Sequence, residues 1–141
     1  MNKTGTNLME NPFAWNGIGG ANMLFLESPP GVGFSYCAEQ VENPSAICAA
    51  TDYTAAEANL DALRSFLMKF PEYIGRKFFI TGESYGGIYV PTLSKLLYES
   101  DLYETEALKF GGWAVRYHSS FTVIVQCICI YPIVFPFRGT R

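Results

Sequence analysis

Histidine is almost missing from this chain, which carries one imidazole, His118, in 141 residues. That count matters more than any average, because a serine or cysteine nucleophile needs a base and here has a single candidate. A basic excess is also missing. Ten Lys and Arg face thirteen Asp and Glu, for a formal charge of -3, which gives no electrostatic footprint for nucleic acid. The N-terminus, Met1-Asn2-Lys3-Thr4-Gly5-Thr6, has no apolar core of the kind a signal peptide requires. No internal repeat or low-complexity linker divides the chain. Two of the four cysteines, Cys127 and Cys129, alternate in an apolar run without histidine or carboxylate neighbours, so no metal site is expected, and no cofactor. The length suits one domain with its own core, but is short for an open-sheet enzyme holding a complete catalytic triad.

What is present centres on Gly82-Glu83-Ser84-Tyr85-Gly86-Gly87, placed directly after Phe78-Phe79-Ile80-Thr81. This fits G-x-S-x-G, in which a serine rides a sharp strand-to-helix turn and the glycines leave room for it. The residues before the motif are aromatic and β-branched, as a buried strand requires. Those after it place Tyr89, Leu93, Leu96 and Leu97 on one helical face. A Gly-rich structural turn is the plain alternative; the order strand, turn, helix favours a nucleophile at Ser84. In such turns the N–H of the following residue, here Tyr85, donates to the oxyanion.

Elsewhere, residues 22–27 read as a short buried strand ended by Ser28-Pro29-Pro30-Gly31. Residues 52–70 carry Tyr53, Ala56, Leu60, Leu63, Leu67 and Phe70 at alternating spacings of three and four, which is one face of a helix. Asp52 or Thr54 can cap its start, Thr54 and Glu57 have capping-box spacing, and Pro71 stops it. Pro91 removes a donor from the helix after the motif and is expected to bend it. Residues 108–115 read as another strand, weakened by Gly111 and Gly112. Strand–helix–strand–helix–strand is the order of a parallel sheet. Beyond residue 115 the character changes: residues 121–137 are nearly all apolar, interrupted by Gln126, Pro132 and Pro136. A membrane span is one reading, though the run is short of about 20 residues and carries two prolines, so membrane partners are not expected. An added sheet strand is another. The composition is aggregation-prone.

Two long blocks of residues carry a family resemblance. Gly-Glu-Ser-Tyr-Gly-Gly with the following Ile88-Tyr89-Val90-Pro91-Thr92-Leu93 resembles the nucleophile segment of the serine carboxypeptidases. So does Asn11-Pro12-Phe13-Ala14-Trp15-Asn16 followed by Ala21-Asn22-Met23-Leu24-Phe25-Leu26-Glu27-Ser28-Pro29-Pro30-Gly31-Val32-Gly33-Phe34-Ser35-Tyr36. Phe70-Pro71-Glu72-Tyr73 is a third, weaker match. The resemblance covers roughly residues 11–115, so residues 1–115 are expected to be part of an α/β-hydrolase domain with a mostly parallel sheet and a nucleophile elbow. Residues 116–141 depart from it: where the family continues into Gly-Asn-Gly, this chain has Arg116-Tyr117-His118, and the tail reads as foreign to the family.

The resemblance implies a serine-type carboxypeptidase acting on peptide or protein C-termini through an acyl-enzyme. It makes Ser84 the nucleophile and Glu83 a ligand for the substrate's terminal carboxylate. Two carboxylates share a site only around a proton, which implies action at acidic pH. It implies a lysosomal, vacuolar or secreted setting and, in that setting, a disulfide closing the ten-residue loop between Cys37 and Cys48; free thiols are the alternative. Asn2-Lys3-Thr4 fits a glycosylation sequon. Glu27, at a strand end, is given no role beyond anchoring its turn. The family's second oxyanion loop, Asn-Gly-Gly-Pro-Gly, has no counterpart here, and its aspartate and histidine lie far downstream of the serine. His118 lacks the family's surroundings and reads as incidental, so the 141 residues by themselves are expected to be a poor catalyst. Two alternatives stand beside the peptidase: an acyltransferase using the same serine, and a non-catalytic product in which the turn is only structural.

Overall fold

A computed structural model describes residues 9–12, 14, 16, 20–116 and, as backbone, 126–131. The helix anticipated from the three-and-four spacing is α2, Asp52–Lys69, preceded in the chain by β1, Asn22–Leu26, and a short helix α1, Ala38–Glu42. Its buried face is Ala55, Ala56, Asn59, Leu60, Leu63 and Leu67, whereas Tyr53 and Phe70 at its two ends are exposed. The cap also differs from expectation. Thr51 is the N-cap, one residue earlier than anticipated. Its hydroxyl accepts from Thr54 N–H at 3.1 Å and its own N–H donates to the Thr54 hydroxyl at 2.8 Å. Threonine thus takes the position three residues on that glutamate or glutamine fills in a capping box. Phe70 is the C-cap, out of helical geometry ahead of Pro71 with φ of -130° and ψ of 67°, and a single 3-10 turn, Pro71–Tyr73, follows.

Next come β2, Arg76–Glu83, then α3, Gly86–Tyr98, the short α4, Asp101–Glu104, and β3, Leu108–Arg116. β2 pairs in parallel with β3. The backbone of Gln126–Tyr131 forms β4, antiparallel to both β1 and β2, giving the sheet order β1-β4-β2-β3. Since β1 and β2 both oppose β4, they run the same way. Three strands therefore share one direction, and the fourth, from the apolar run after residue 116, is the added strand that the sequence left as an alternative.

The helices cover one face of this sheet. Phe78 and Ile80 of β2, Leu60, Leu63 and Leu67 of α2, Val90, Leu93 and Leu97 of α3, Leu102 and Leu108 form one buried cluster. Each leucine fully buried in it contributes on the order of 1.5–3 kcal/mol relative to exposure. In α3 it is Val90, not the anticipated Tyr89, that reaches the core, and the helix continues through Pro91. On β3 the core-facing residues change phase from Leu108 and Phe110 to Val115. The register slips there, Phe78 facing Phe110 and Phe79 facing Gly112, so Gly111 is an inserted bulge residue. A Cβ on Gly111 would fall 2.6 Å from the Phe79 ring, so the bulge needs glycine for space. Arg64 of α2 ties α2 to α4, donating to the Asp101 carboxylate at 2.7 Å. That donation holds the Asp101 carboxyl below its ordinary range, so what the pair adds is present above that range and lost as acid protonates Asp101.

β2 and α3 meet where the chain turns between them. A Cβ on Gly82 would fall 2.8 Å from a Val90 methyl and 3.2 Å from Gly86 Cα, whereas one on Gly87 would meet nothing within 4 Å. Space is therefore demanded of Gly82 and not of Gly87. Gly82→Ala is expected to destabilise the fold by about 1–3 kcal/mol. Gly87→Ala is expected to leave stability unchanged or raise it by up to about 1 kcal/mol through helix propensity. Urea unfolding of the two variants checks this; equal losses would contradict it.

Candidate active site

The backbone of Ser84 is left-handed, with φ of 57°, a conformation that among the described non-glycine residues only Glu106 shares. For a serine this costs on the order of 1 kcal/mol or more and persists only where neighbours hold it. They do so from both sides. Ser84 N–H donates to the Arg116 carbonyl at 2.8 Å, extending the β2–β3 ladder past the strand, and Gly87 N–H donates to the Ser84 carbonyl at 3.0 Å. The Ser84 side chain is half-buried and makes no hydrogen bond among the described residues. Ser84 lies just past the carboxyl end of β2, two residues before α3 begins.

Tyr85 is the N-cap of α3. Its N–H and that of Gly86 belong to the first turn, which a helix leaves without intrahelical acceptors, and the helix dipole places its positive end there. The Tyr85 ring is engaged separately. Its hydroxyl donates to both oxygens of Asp52, at 3.2 and 3.1 Å, and its ring meets Tyr89 edge-on with centroids 5.0 Å apart. The bond to Asp52 raises the Tyr85 hydroxyl above its ordinary pKa, with the Asp52 charge adding to it. Burial, then the same charge, raises that of Tyr89. The sequence treated Asp52 as a helix cap only; a contact spanning 33 positions leaves no mark in local spacing.

Glu83 is the last residue of β2, exposed, and its carboxylate makes no ion pair or hydrogen bond among the described residues. Its register partner is Arg116. Glu27 is different. It accepts from Phe34 N–H, and Gly33, at φ of 59°, leaves the space its carboxylate fills, where a Cβ would lie 2.6 Å away. Ser35 closes the same turn by donating to the carbonyls of Val32 at 2.7 Å and Pro29 at 3.1 Å. Because β1 and β2 run the same way, this turn and Ser84 lie at the same edge of the sheet, the edge at which α/β proteins bind ligands. Cys37 and Cys48 are joined by a disulfide with Cα atoms 5.8 Å apart. A Cβ on Gly31 would approach Cys48 Sγ to 3.1 Å, so the disulfide packs against the Glu27 turn.

The structure thus brings Ser84, Tyr85 and Glu83 together on one turn and adds Asp52 and Tyr89 to it. His118 and the Asn2 sequon lie outside the described residues. Among the described residues no group of three or more His, Cys, Asp or Glu is placed to hold a metal, and no helix is long and apolar enough to cross a membrane.

Comparison with known proteins gives the family. Residues 1–116 match the family described as serine carboxypeptidase. The mouse lysosomal protective protein is 40% identical over 121 residues, which is 86% of this chain and 24% of that protein. Serine carboxypeptidase-like 26 of Arabidopsis thaliana is 43% identical over 115 residues, 82% of this chain and 24% of its own length. Serine carboxypeptidase ctsa-4.1 of Caenorhabditis elegans is 38% identical over 132 residues, covering 92% and 26%. The chain spans about a quarter of the length of these relatives. With the match running through β1, β2, α3 and β3, the chain belongs to the serine carboxypeptidase family, whose fold is the α/β hydrolase.

Proposed function

We propose that this chain carries the nucleophile elbow of a serine carboxypeptidase, with Ser84 as the attacking group. The observation that carries the reading is the left-handed Ser84 backbone, held between β2 and α3 by hydrogen bonds to its N–H and its carbonyl. Ser84 Oγ attacks the carbonyl carbon of the last peptide bond. A C–O bond forms, the C–N bond breaks, and the serine proton passes through a base to the departing amine. Water then hydrolyses the acyl-enzyme. Tyr85 N–H, at the positive end of α3, donates to the oxyanion in both steps. The imidazole that moves the proton is not among the described residues, and the second oxyanion donor is not either.

Glu83 serves as the ligand for the substrate's terminal carboxylate. Its exposure and freedom from ion pairs among the described residues support that role, since a carboxylate already bound to arginine would have none of this capacity. The shared proton makes binding favourable in acid and unfavourable once both carboxylates ionise. The Cys37–Cys48 disulfide supports an oxidising compartment, lysosomal, vacuolar or secreted. The family match covers residues 1–116, and beyond it the backbone of Gln126–Tyr131 joins the same sheet as β4.

Two outcomes follow for the full-length protein. A fluorophosphonate probe is expected to label it at Ser84, and Ser84→Ala to abolish the label; label persisting on another serine would remove the assignment. Glu83→Gln is expected to keep more peptidase activity than Glu83→Ala at acidic pH, and both are expected to narrow the preference for free-acid over amidated peptides. An unchanged preference would sink the carboxylate-binding role.

A further inference from the structure

The cations among the described residues are unevenly placed. Arg76 and Lys77 open β2 and Lys109 lies at the start of β3, so all three sit at the amino edge of the parallel strands. Helices α2 and α3 both begin at the carboxyl edge, where Asp52 meets Tyr85, and their Lys69 and Lys95 lie in the last turns, away from it. Arg64 is drawn to Asp101 of α4. Arg116, the last residue of β3, is therefore the one described cation at the carboxyl edge, where Ser84 follows β2. Of the carboxylates there, Glu27 accepts from Phe34 N–H and Asp52 from the Tyr85 hydroxyl, which leaves Glu83.

Arg116 meets the Ser84 turn through its backbone and its register. Its carbonyl accepts from Ser84 N–H at 2.8 Å. Glu83 is its register partner, one strand spacing away at about 4.8 Å. The preceding pair, Gly82 and Val115, faces the helices, Gly82 against Val90 and Val115 against the core. Side chains alternate along a strand, so Glu83 and Arg116 share the other face. They stand side by side without an ion pair, and the exposed Arg116 guanidinium has no partner among the described residues.

In a peptide whose last bond Ser84 attacks, a single residue separates the attacked carbon from the terminal carboxylate. Ligands for that carboxylate have to come from positions adjoining Ser84, and Glu83 and Arg116 are two of these. Glu83 alone holds a second carboxylate only around a shared proton. A guanidinium beside it offers a fork of donors that matches a carboxylate, and offsets one of the two negative charges without a proton.

We propose that Arg116 is a second ligand for the substrate's terminal carboxylate, binding it alongside Glu83. This rests on the reading of Ser84 as nucleophile and deepens it to a substrate class, free-acid C-termini recognised by their charge. Glu83 makes the binding strongest in acid, and Arg116 lessens its loss as pH rises.

The test uses the full-length protein carrying Ser84→Ala, so that bound peptide is not turned over. Calorimetry reads the Kd of an N-acetylated dipeptide, as free acid and as amide, at about pH 5 and about pH 7. Arg116→Gln is expected to weaken free-acid binding about tenfold in acid and further at neutral pH, with amide binding unchanged. Arg116→Lys keeps the charge but not the fork and is expected to recover part of the loss. Both variants keep the carbonyl that accepts from Ser84 N–H, so the turn itself is not removed. Equal losses for acid and amide would overturn the proposal, because a merely structural arginine acts on both. So would free-acid binding unchanged or improved in Arg116→Gln, the result of an arginine that only pairs with Glu83. A parent protein that binds neither peptide overturns it as well. The nucleophile reading is judged apart, by fluorophosphonate label at Ser84 in the protein without Ser84→Ala. Label together with no acid-specific loss removes Arg116 alone; an acid-specific loss without label removes Ser84 as nucleophile and leaves Arg116 as the carboxylate ligand.

Discussion

The approach of β2 to α3 at Gly82 is the constraint on which the rest of this structure depends. With 2.8 Å between a would-be Gly82 Cβ and the Val90 methyl, the strand end and the helix's first turns sit closer than any side chain on Gly82 allows. Two residues, Ser84 and Tyr85, are left to reverse the chain, and the reversal puts Ser84 at φ of 57°. The energy that holds this strained residue comes from elsewhere: Phe78 and Ile80 on the strand and Val90, Leu93 and Leu97 on the helix are buried together, with α2 closing over them. Burial of several such side chains, each on the order of 1.5–3 kcal/mol, outweighs a backbone strain of about 1–3 kcal/mol. The site is a consequence of core packing a few residues away.

Much of this was legible in the residues. The spacing of Leu60, Leu63 and Leu67 gave the buried face of α2, and the apolar run into a Gly-rich serine turn gave β2, the turn and α3 in order. The family resemblance, carried by the motifs, is matched over residues 1–116. Local details went astray where a neighbouring residue could do the same job. Thr51 caps α2 because a threonine hydroxyl three residues on, from Thr54, completes the exchange as well as a glutamate would. Tyr89 gave way to Val90 because the strand end facing that turn of α3 is glycine, and the close approach is filled by a methyl group rather than a ring. The weakening glycines of β3 proved to be a bulge: the change from even-numbered core residues, Leu108 and Phe110, to Val115 was written in the sequence and needs one inserted residue.

Long-range pairings were not legible. Nothing local to Asp52 or Tyr85 announces a hydrogen bond across 33 positions, since either residue is satisfied by solvent in any other arrangement. The same holds for Gln126–Tyr131. Its apolar alternation suited an added strand, but its place between β1 and β2, antiparallel to both, follows from which strand edges were open to it. Glu27 shows the opposite case, in which a strand-end carboxylate anchors its own turn by accepting from Phe34 N–H, and position alone was enough to see it.

The central claim is that the turn after β2 presents Ser84 and the Tyr85 amide as one preformed unit. A crystal structure of the full-length protein phosphonylated by an organophosphonate tests it most directly. The account predicts phosphorus bonded to Ser84 Oγ, a phosphoryl oxygen within about 3 Å of Tyr85 N, and the Ser84 backbone still left-handed. A phosphoryl oxygen turned away from Tyr85 N, or a Ser84 backbone that relaxes to negative φ in the adduct, would contradict it.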